Sequence, residues 1–292
     1  MTIDEKKKIF TRTLFNWHRT NERVMLWRET ENPYCILVSE IMLQQTQVER
    51  VRTKYAEFLK QFPSVNQLAS ASLGDVLRAW SGLGYNRRAK YLHECAKMVV
   101  VQYAGKFPVD EMELKKLPGI GPSTAAALSS FAFHGDAPMI DTNIRRILIR
   151  VFFPPTKLSR LNLDKKLPSD KELYIFAKTL IPRGKGRMWN YAMLDVGAML
   201  CTARNHSYDC PFTKLHGSVG DFVYKKPQAK FTDSRRFYRG KILRLLTKEK
   251  KISITMLSDR IGKNAFDMSE ILSDLKKEGL IAVSRGKIAL PS

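Results

Sequence analysis

Three acidic residues stand where a charge is hard to accommodate. Glu40 falls in a stretch, residues 35–44, that also holds Ile36, Leu37, Ile41, Met42 and Leu43, and Asp195 sits inside MLDVGAML. A carboxylate on an apolar helix is costly to bury unless a partner or a function compensates. Desolvation raises the pKa of such a group toward the range where it donates a proton at neutral pH, which is how a general acid is made. For Glu40 function is the better reading, because Gln44, Gln45 and Thr46 follow it with uncharged donors and acceptors suited to base edges. For Asp195 a buried salt bridge is an equal alternative. Asp141 comes 20 residues after Gly121, just where Ile144, Ile147 and Leu148 begin a new helix, and it can cap that helix.

The elements that must position these groups are mostly helices. Thr2 and Glu5 form a capping box ahead of Ile9, Phe10, Leu14, Phe15 and Trp17 at helical spacing. Further helices are expected over 35–44, 48–62, 89–103, 173–180 and 189–201, with Ser72 capping one that carries Val76, Leu77 and Trp80, for a bundle of about ten as far as Cys201. Between them Leu117-Pro118-Gly119-Ile120-Gly121 makes a tight turn, and a helix of small residues starts at once from Pro122. This is a helix-hairpin-helix signature, whose outward backbone amides at a helix N-terminus suit a nucleic-acid phosphate. Gly82-Leu83-Gly84-Tyr85 forms a second glycine-flanked loop whose side chains can protrude as a wedge, and Arg87, Arg88 and Lys90 after it suit phosphates.

Residues 1–216 read as one domain and 217–232, with Gly217, Gly220 and Pro227, as a linker. In residues 233–292, helices over 237–246, 254–261 and 265–277 precede strands at 281–283 and 287–290, which flank Ser284-Arg285-Gly286 as a hairpin. Three helices and a two-stranded wing make a small winged-helix (α+β) domain. The fold class is therefore mainly α.

Lys and Arg number 50 against 28 Asp and Glu, a formal charge of +22 over 292 residues. That surplus predicts a polyanionic partner, and polar spacing throughout favours nucleic acid over a membrane. No apolar run approaches the roughly 20 residues that span a bilayer. Lys6, Lys7 and Lys8 lead into an amphipathic pattern and not a signal-peptide core, so a cytoplasmic, nucleoid-associated protein is expected. Four scattered cysteines, Cys35, Cys95, Cys201 and Cys210, are no disulfide framework.

Ser39 to Val48 (SEIMLQQTQV), Trp80 to Tyr85 (WSGLGY) and the hairpin LPGIGPS together resemble the helix-hairpin-helix (HhH-GPD) DNA glycosylases. The similarity runs from about Leu26 to Cys201 and is nearest the adenine DNA glycosylase branch (MutY type), which removes adenine mispaired with guanine or 8-oxoguanine. The resemblance implies the following roles. Glu40 is the acid that protonates the base, and Asp141 stabilises the positive charge left on the sugar when the N-glycosidic bond breaks. Asn143 helps orient that site. Trp27 and Arg28 lie near the extruded base, the one offering a stacking face and the other donors, with Asp195 contacting the adenine. Trp27 as core and Arg28 as a surface cation is an equal reading of those two residues. Gln45, Thr46, Leu83, Gly84, Tyr85, Gly119, Gly121 and Ser123 meet double-stranded DNA. Relatives that also cut the strand carry a lysine where Ser123 stands and form a Schiff base with the sugar, so this chain is expected to be monofunctional. Thymine glycosylases of the branch tend to carry an aromatic there, and serine favours adenine. A monomer is expected.

The chain departs from the family in three places. Asn86 follows Tyr85 where a second aromatic is usual, and the tail has no room for a Nudix-like C-terminal domain. The four-cysteine set for an iron-sulfur cluster is also broken: Cys201 and Cys210 survive, His216 takes the place of the last ligand, and Ser207 or Tyr208 falls where the second would be. No cofactor is expected. Zinc held by Cys201, His206, Cys210 and His216 is the minor alternative to a remnant now held by packing. Two other functions stay open, a thymine glycosylase for guanine·thymine mismatches and a non-catalytic winged-helix DNA-binding regulator on a glycosylase scaffold. Retention of Glu40, Asp141 and Ser123 together argues against the latter.

Overall fold

The computed structural model describes residues 1–154, 167–202, 209–216, 230–262 and 265–292, with the backbone alone for 265–267. His206, Ser207, Tyr208 and the expected linker as far as residue 229 lie outside the described residues.

Helices supply nearly all the regular structure: α1 (Ile3–Asn21), α2 (Pro33–Leu43), α3 (Val48–Gln61), α4 (Val65–Ser70), α5 (Leu73–Ala79), α6 (Arg87–Tyr103), α7 (Glu111–Leu114), α8 (Pro122–Ala132), α9 (Thr142–Phe152), α10 (Asp170–Lys178), α11 (Gly186–Met199), α12 (Thr213–His216), α13 (Arg235–Lys248), α14 (Ile254–Ile261) and α15 (Ala265–Lys277). A 3-10 turn, Leu26–Arg28, separates α1 from α2. The capping box of α1 forms in both directions, Thr2 N donating to Glu5 Oε2 at 2.7 Å and Glu5 N to Thr2 Oγ1 at 3.2 Å. Helix α2 starts two residues earlier than its apolar spacing suggests. Pro33 is tolerated in the first turn, where its missing N–H costs nothing, and Asn32 Oδ1 accepts from Tyr34 N at 2.9 Å.

Close contacts divide the chain into two compact units. The first holds residues 1–36, 109–115 and 120–226, and the second 37–108, 116–119 and 227–292. In the first unit α1, α8 and α9 pack on α11. Glycines let these helices approach: a Cβ on Gly197 would stand 2.6 Å from that of Asn143, and one on Gly186 would stand 2.2 Å from the Gly135 carbonyl oxygen. Phe10, stacked on Phe212 at 4.4 Å, and Trp189 anchor the core.

In the second unit α6 packs on α4 and α5, and Trp80 meets Phe58 edge-on at 5.9 Å. Strands β1 (Ile252–Ser253), β2 (Ala282–Ser284) and β3 (Lys287–Ala289) form an antiparallel sheet in the order β1-β3-β2, with Ile288 opposite both Ile252 and Val283. The sequence of helix, strand, two helices and two strands is that of a winged helix. The expected wing had two strands; β1, two residues long, is too short for alternation to reveal. These C-terminal elements lie against α5 and α6. The Pro291 carbonyl oxygen occupies space that a Cβ on Gly74 would need, at 2.4 Å, and Lys90 Nζ donates to the Glu278 carbonyl at 2.6 Å.

Candidate active site

In the first unit Asp141 is the N-cap of α9, its Oδ1 accepting from Ile144 N at 2.7 Å. Burial pushes its carboxyl above the usual carboxylate range, opposed by the backbone amides of Ile144 and Asn143 and by the Arg146 guanidinium. Asn143 Oδ1 accepts from Arg146 Nη2 at 2.7 Å, and the same guanidinium donates to the carbonyls of Cys201 at 2.6 Å and Gly197 at 3.0 Å. Arg146 therefore ties the turn bearing Asp141 and Asn143 to the end of α11. Nothing in its sequence position flags this, since α9 carries Arg145, Arg146 and Arg150 and all three are buried.

Asp195 is fully buried, and its two oxygens accept from Arg28 Nη2 at 2.7 Å and Nη1 at 2.8 Å, with the Arg23 amide adding a third bond at 3.2 Å. His18 Nδ1 lies 3.7 Å away. The guanidinium of Arg28 stacks 4.4 Å over the Tyr191 ring, which itself stacks on Phe131 at 4.1 Å. Asp195 is thus the buried salt bridge of the two sequence readings and presents no open edge to a base. Arg28 is correspondingly no surface cation. Trp27, 4% exposed, belongs to the core and its face is not open for stacking.

Breaking a buried pair leaves an uncompensated charge, so Asp195→Leu is expected to lower unfolding free energy by about 3–5 kcal/mol, and Arg28→Met together with Asp195→Leu to recover most of it. Urea denaturation of the two variants checks this.

The hairpin glycines have separate reasons. Gly119 has φ +78°, and a Cβ there would meet the Tyr91 Cβ at 2.8 Å. Gly121, by contrast, has φ −87° and no atom within 4 Å of where its Cβ would stand, so a turn too tight for side chains describes only the first. Gly121 is the N-cap of α8 without a side-chain cap, and the open space before it leaves the first amides of α8 accessible. Ser123 is half-buried in that first turn. Gly119→Ala should therefore cost more than the roughly 1–2 kcal/mol of a left-handed alanine, while Gly121→Ala, without strain or clash, should cost only about 0.5–1 kcal/mol for the poorer N-cap. Thermal melts of both separate them.

In the second unit Glu40 is half-buried on α2 between the buried Ser39 and Ile41. After α2 ends, Gln45 adopts φ +57° and is exposed. The loop Gly82–Tyr85 has one protruding side chain, Tyr85 at 42% exposure and φ +48°. Leu83, expected to protrude with it, is buried at 2%. The positive φ of Gly82 and Gly84, +97° and +71°, turns the backbone so that Leu83 faces inward.

The residue that sequence reasoning missed is Arg88, expected only as a phosphate contact. Its buried guanidinium donates to the carbonyls of Ile41 at 2.8 Å and Met42 at 3.0 Å and to that of Gln44. It also bonds Thr46 Oγ1 at 3.0 Å and the carbonyls of Leu83 at 3.2 Å and Gly84 at 3.1 Å. The last carbonyls of a helix have no partner inside it. Arg88 satisfies two of those of α2, with the Gln44 carbonyl just beyond, and fixes the Tyr85 loop beside them. Desolvation pushes its pKa down to about 10, which leaves it charged at neutral pH.

The cysteines do not fit a four-thiolate cluster. Cys201 and Cys210 are buried and belong to one region, while Cys35 is on α2 and Cys95 on α6. Arg150 Nη1 donates to Cys201 Sγ at 3.0 Å. Cys210 Sγ lies 3.9 Å from His216 Nε2. Among the described residues no group of three or more His, Cys, Asp and Glu could hold a metal ion.

A family model described as HhH-GPD superfamily base excision DNA repair protein matches residues 38–169. An adenine DNA glycosylase of Buchnera aphidicola subsp. Baizongia pistaciae is 37% identical over 205 residues, which cover 70% of this chain and 56% of that protein. An adenine DNA glycosylase of Mycolicibacterium smegmatis is 32% identical over 290 residues, covering 95% and 94%. The structure of a thermostable thymine-DNA glycosylase matches with TM-score 0.66 at 30% identity, covering 73% of this chain and 96% of that one. The chain spans little more than half the length of the Buchnera relative.

Proposed function

The chain belongs to the HhH-GPD superfamily of base excision DNA repair proteins, and on that premise we propose that it is a monofunctional DNA glycosylase hydrolysing the N-glycosidic bond of adenine mispaired with guanine or 8-oxoguanine in double-stranded DNA. The observation that carries this reading is a relative named adenine DNA glycosylase matched over 94% of its length by a chain that carries Glu40 and Asp141. Glu40 protonates the departing base. Asp141, anchored by the α9 amides, faces the positive charge that develops on the sugar. Asn143, through Arg146, and Arg28, through Asp195, hold their turns in place. Ser123 has no amine, so water ends the reaction and the strand stays whole. Gln45, Thr46 and Tyr85 enter the duplex, and the amides around Gly119 and Gly121 receive a phosphate.

The enzyme works without an iron-sulfur cluster, as a monomer in the cytoplasm at the nucleoid. Supporting the first point is the thiolate count, with Cys201 and Cys210 alone in this region where a cluster takes four cysteines, and elemental analysis for iron and zinc tests it. No helix among the described residues is long and apolar enough to cross a membrane.

The likeness to a thymine-DNA glycosylase favours a second reading, thymine release from guanine·thymine pairs. Incubating the protein with duplexes bearing each mismatch, followed by alkali, separates the two. Breaks at adenine support the first reading, breaks at thymine replace it with the second, and no break in any duplex refutes both.

A further inference from the structure

The C-terminal module carries its positive charge on an unexpected helix. The sequence of α13 contains Arg235, Arg236, Arg239, Lys241, Arg244 and Lys248 and no acid, whereas that of α15 has Asp267, Glu270 and Asp274 against Lys276 and Lys277. The third helix of a three-helix DNA-binding fold is the usual reader of the major groove, and here it is net acidic. It serves α13 instead: Arg235 bonds Asp274 at 2.5 Å with Glu270 at 3.9 Å, and Arg239 pairs with Glu278 just beyond α15.

These pairs hold α13 with Arg236 and Arg244 on the side of the Tyr85 loop, whereas Lys241 donates to the Ile261 carbonyl at 3.1 Å. Helix α13 and that loop line one open cleft of about 1050 Å³ within the second unit, with walls that include Arg50, Tyr85, Arg87, Phe231, Arg236 and Arg244. The volume lies just above the roughly 300–1,000 Å³ range of small-ligand sites. Cations interleaved with exposed aromatic faces are what a nucleic-acid strand requires, the cations for phosphates and the rings for unstacked bases. Phe231 is 60% and Tyr85 42% exposed. The cleft is continuous with the turn of Gln44 and Gln45.

We propose that α13, and not α15, is the DNA-contacting helix of the C-terminal module, and that its cleft with the Gly82–Tyr85 loop holds a phosphodiester strand beside the mispair. The location beside the mispair rests on the glycosylase reading; binding of a strand by the cleft does not. One helix of the winged fold thus extends the surface of the loop that penetrates the duplex, and the acidic helix behind it orients the arginines.

The test uses the full chain and equilibrium binding to a duplex with one adenine·8-oxoguanine pair, between about 50 and 200 mM salt. Arg236→Ala with Arg244→Ala should weaken binding at least tenfold at the lower salt and flatten the log–log salt slope by nearly two, about 0.9 for each phosphate no longer neutralised. Arg236→Lys with Arg244→Lys should restore most of the slope. Lys276→Ala with Lys277→Ala, which removes every cation of α15, should change neither quantity. An unchanged slope in the alanine pair, or an equal loss in the α15 pair, overturns the proposal. The readout is binding, so a wild-type protein that releases no base from any duplex would refute the glycosylase reading while leaving the salt slopes to decide this one.

Discussion

Replacing Glu40 by glutamine should lower the single-turnover rate of base release by about 10²- to 10⁴-fold, the usual worth of a positioned general acid, while duplex affinity stays nearly unchanged. The amide keeps the shape and hydrogen-bonding capacity of the side chain but supplies no proton to the departing base. Because α2 buries Leu37, Val38, Ile41 and Met42 around this position, the isosteric change leaves the helix packed. Rapid-quench assays on an adenine·8-oxoguanine duplex, paired with binding titrations, separate the two effects. Near wild-type release by the variant would remove Glu40 from the mechanism.

Asp141→Asn is expected to cost about 10²- to 10³-fold in the same assay, as removal of one fixed electrostatic group facing developing charge does. Asparagine caps helices about as well as aspartate, so the melting temperature should not fall. Asp141→Ala, lacking both functions, should lose about 0.5–2 kcal/mol of stability as well. The pH profile carries a further sign. On the proposed mechanism the reaction needs the anion, and burial holds the Asp141 pKa above the ordinary carboxylate value. Wild-type activity should therefore fall on acidification at a higher pH than an ordinary carboxylate would give, and that limb should vanish in the asparagine variant. The ionised form is the one the fold disfavours, so stability rises as pH drops through that pKa, and asparagine should be no less stable than aspartate at neutral pH. An acid limb unchanged in Asp141→Asn would assign it to another group.

The helices were legible because their apolar residues recur with helical spacing, and caps such as Thr2 and Ser72 mark where they begin. Ends were blurred where local chemistry extends a helix past its apolar pattern, as Pro33 does at the start of α2. Leu83 misled because glycine-flanked residues look exposed, whereas direction depends on backbone angles that composition does not carry. Asp195 left two readings open because its partner Arg28 lies 167 positions away. Arg88 was hidden for the same reason: its acceptors are backbone carbonyls, which every residue has and no sequence pattern distinguishes.

That single guanidinium spans the turn after α2 and the loop of Tyr85, six acceptors on two segments some forty residues apart. The two segments accordingly behave as prongs of one fork with a preset gap. Lysine at position 88, a point charge with three donors, could not hold that gap. A tool of fixed gauge does not adapt to what it grips, so the duplex must supply the deformation. Under the glycosylase reading proposed above, a pair that unstacks cheaply would yield to the fork and a sound one would resist it, which would place part of the discrimination in the stiffness of the DNA and none of that part in any contact to a base.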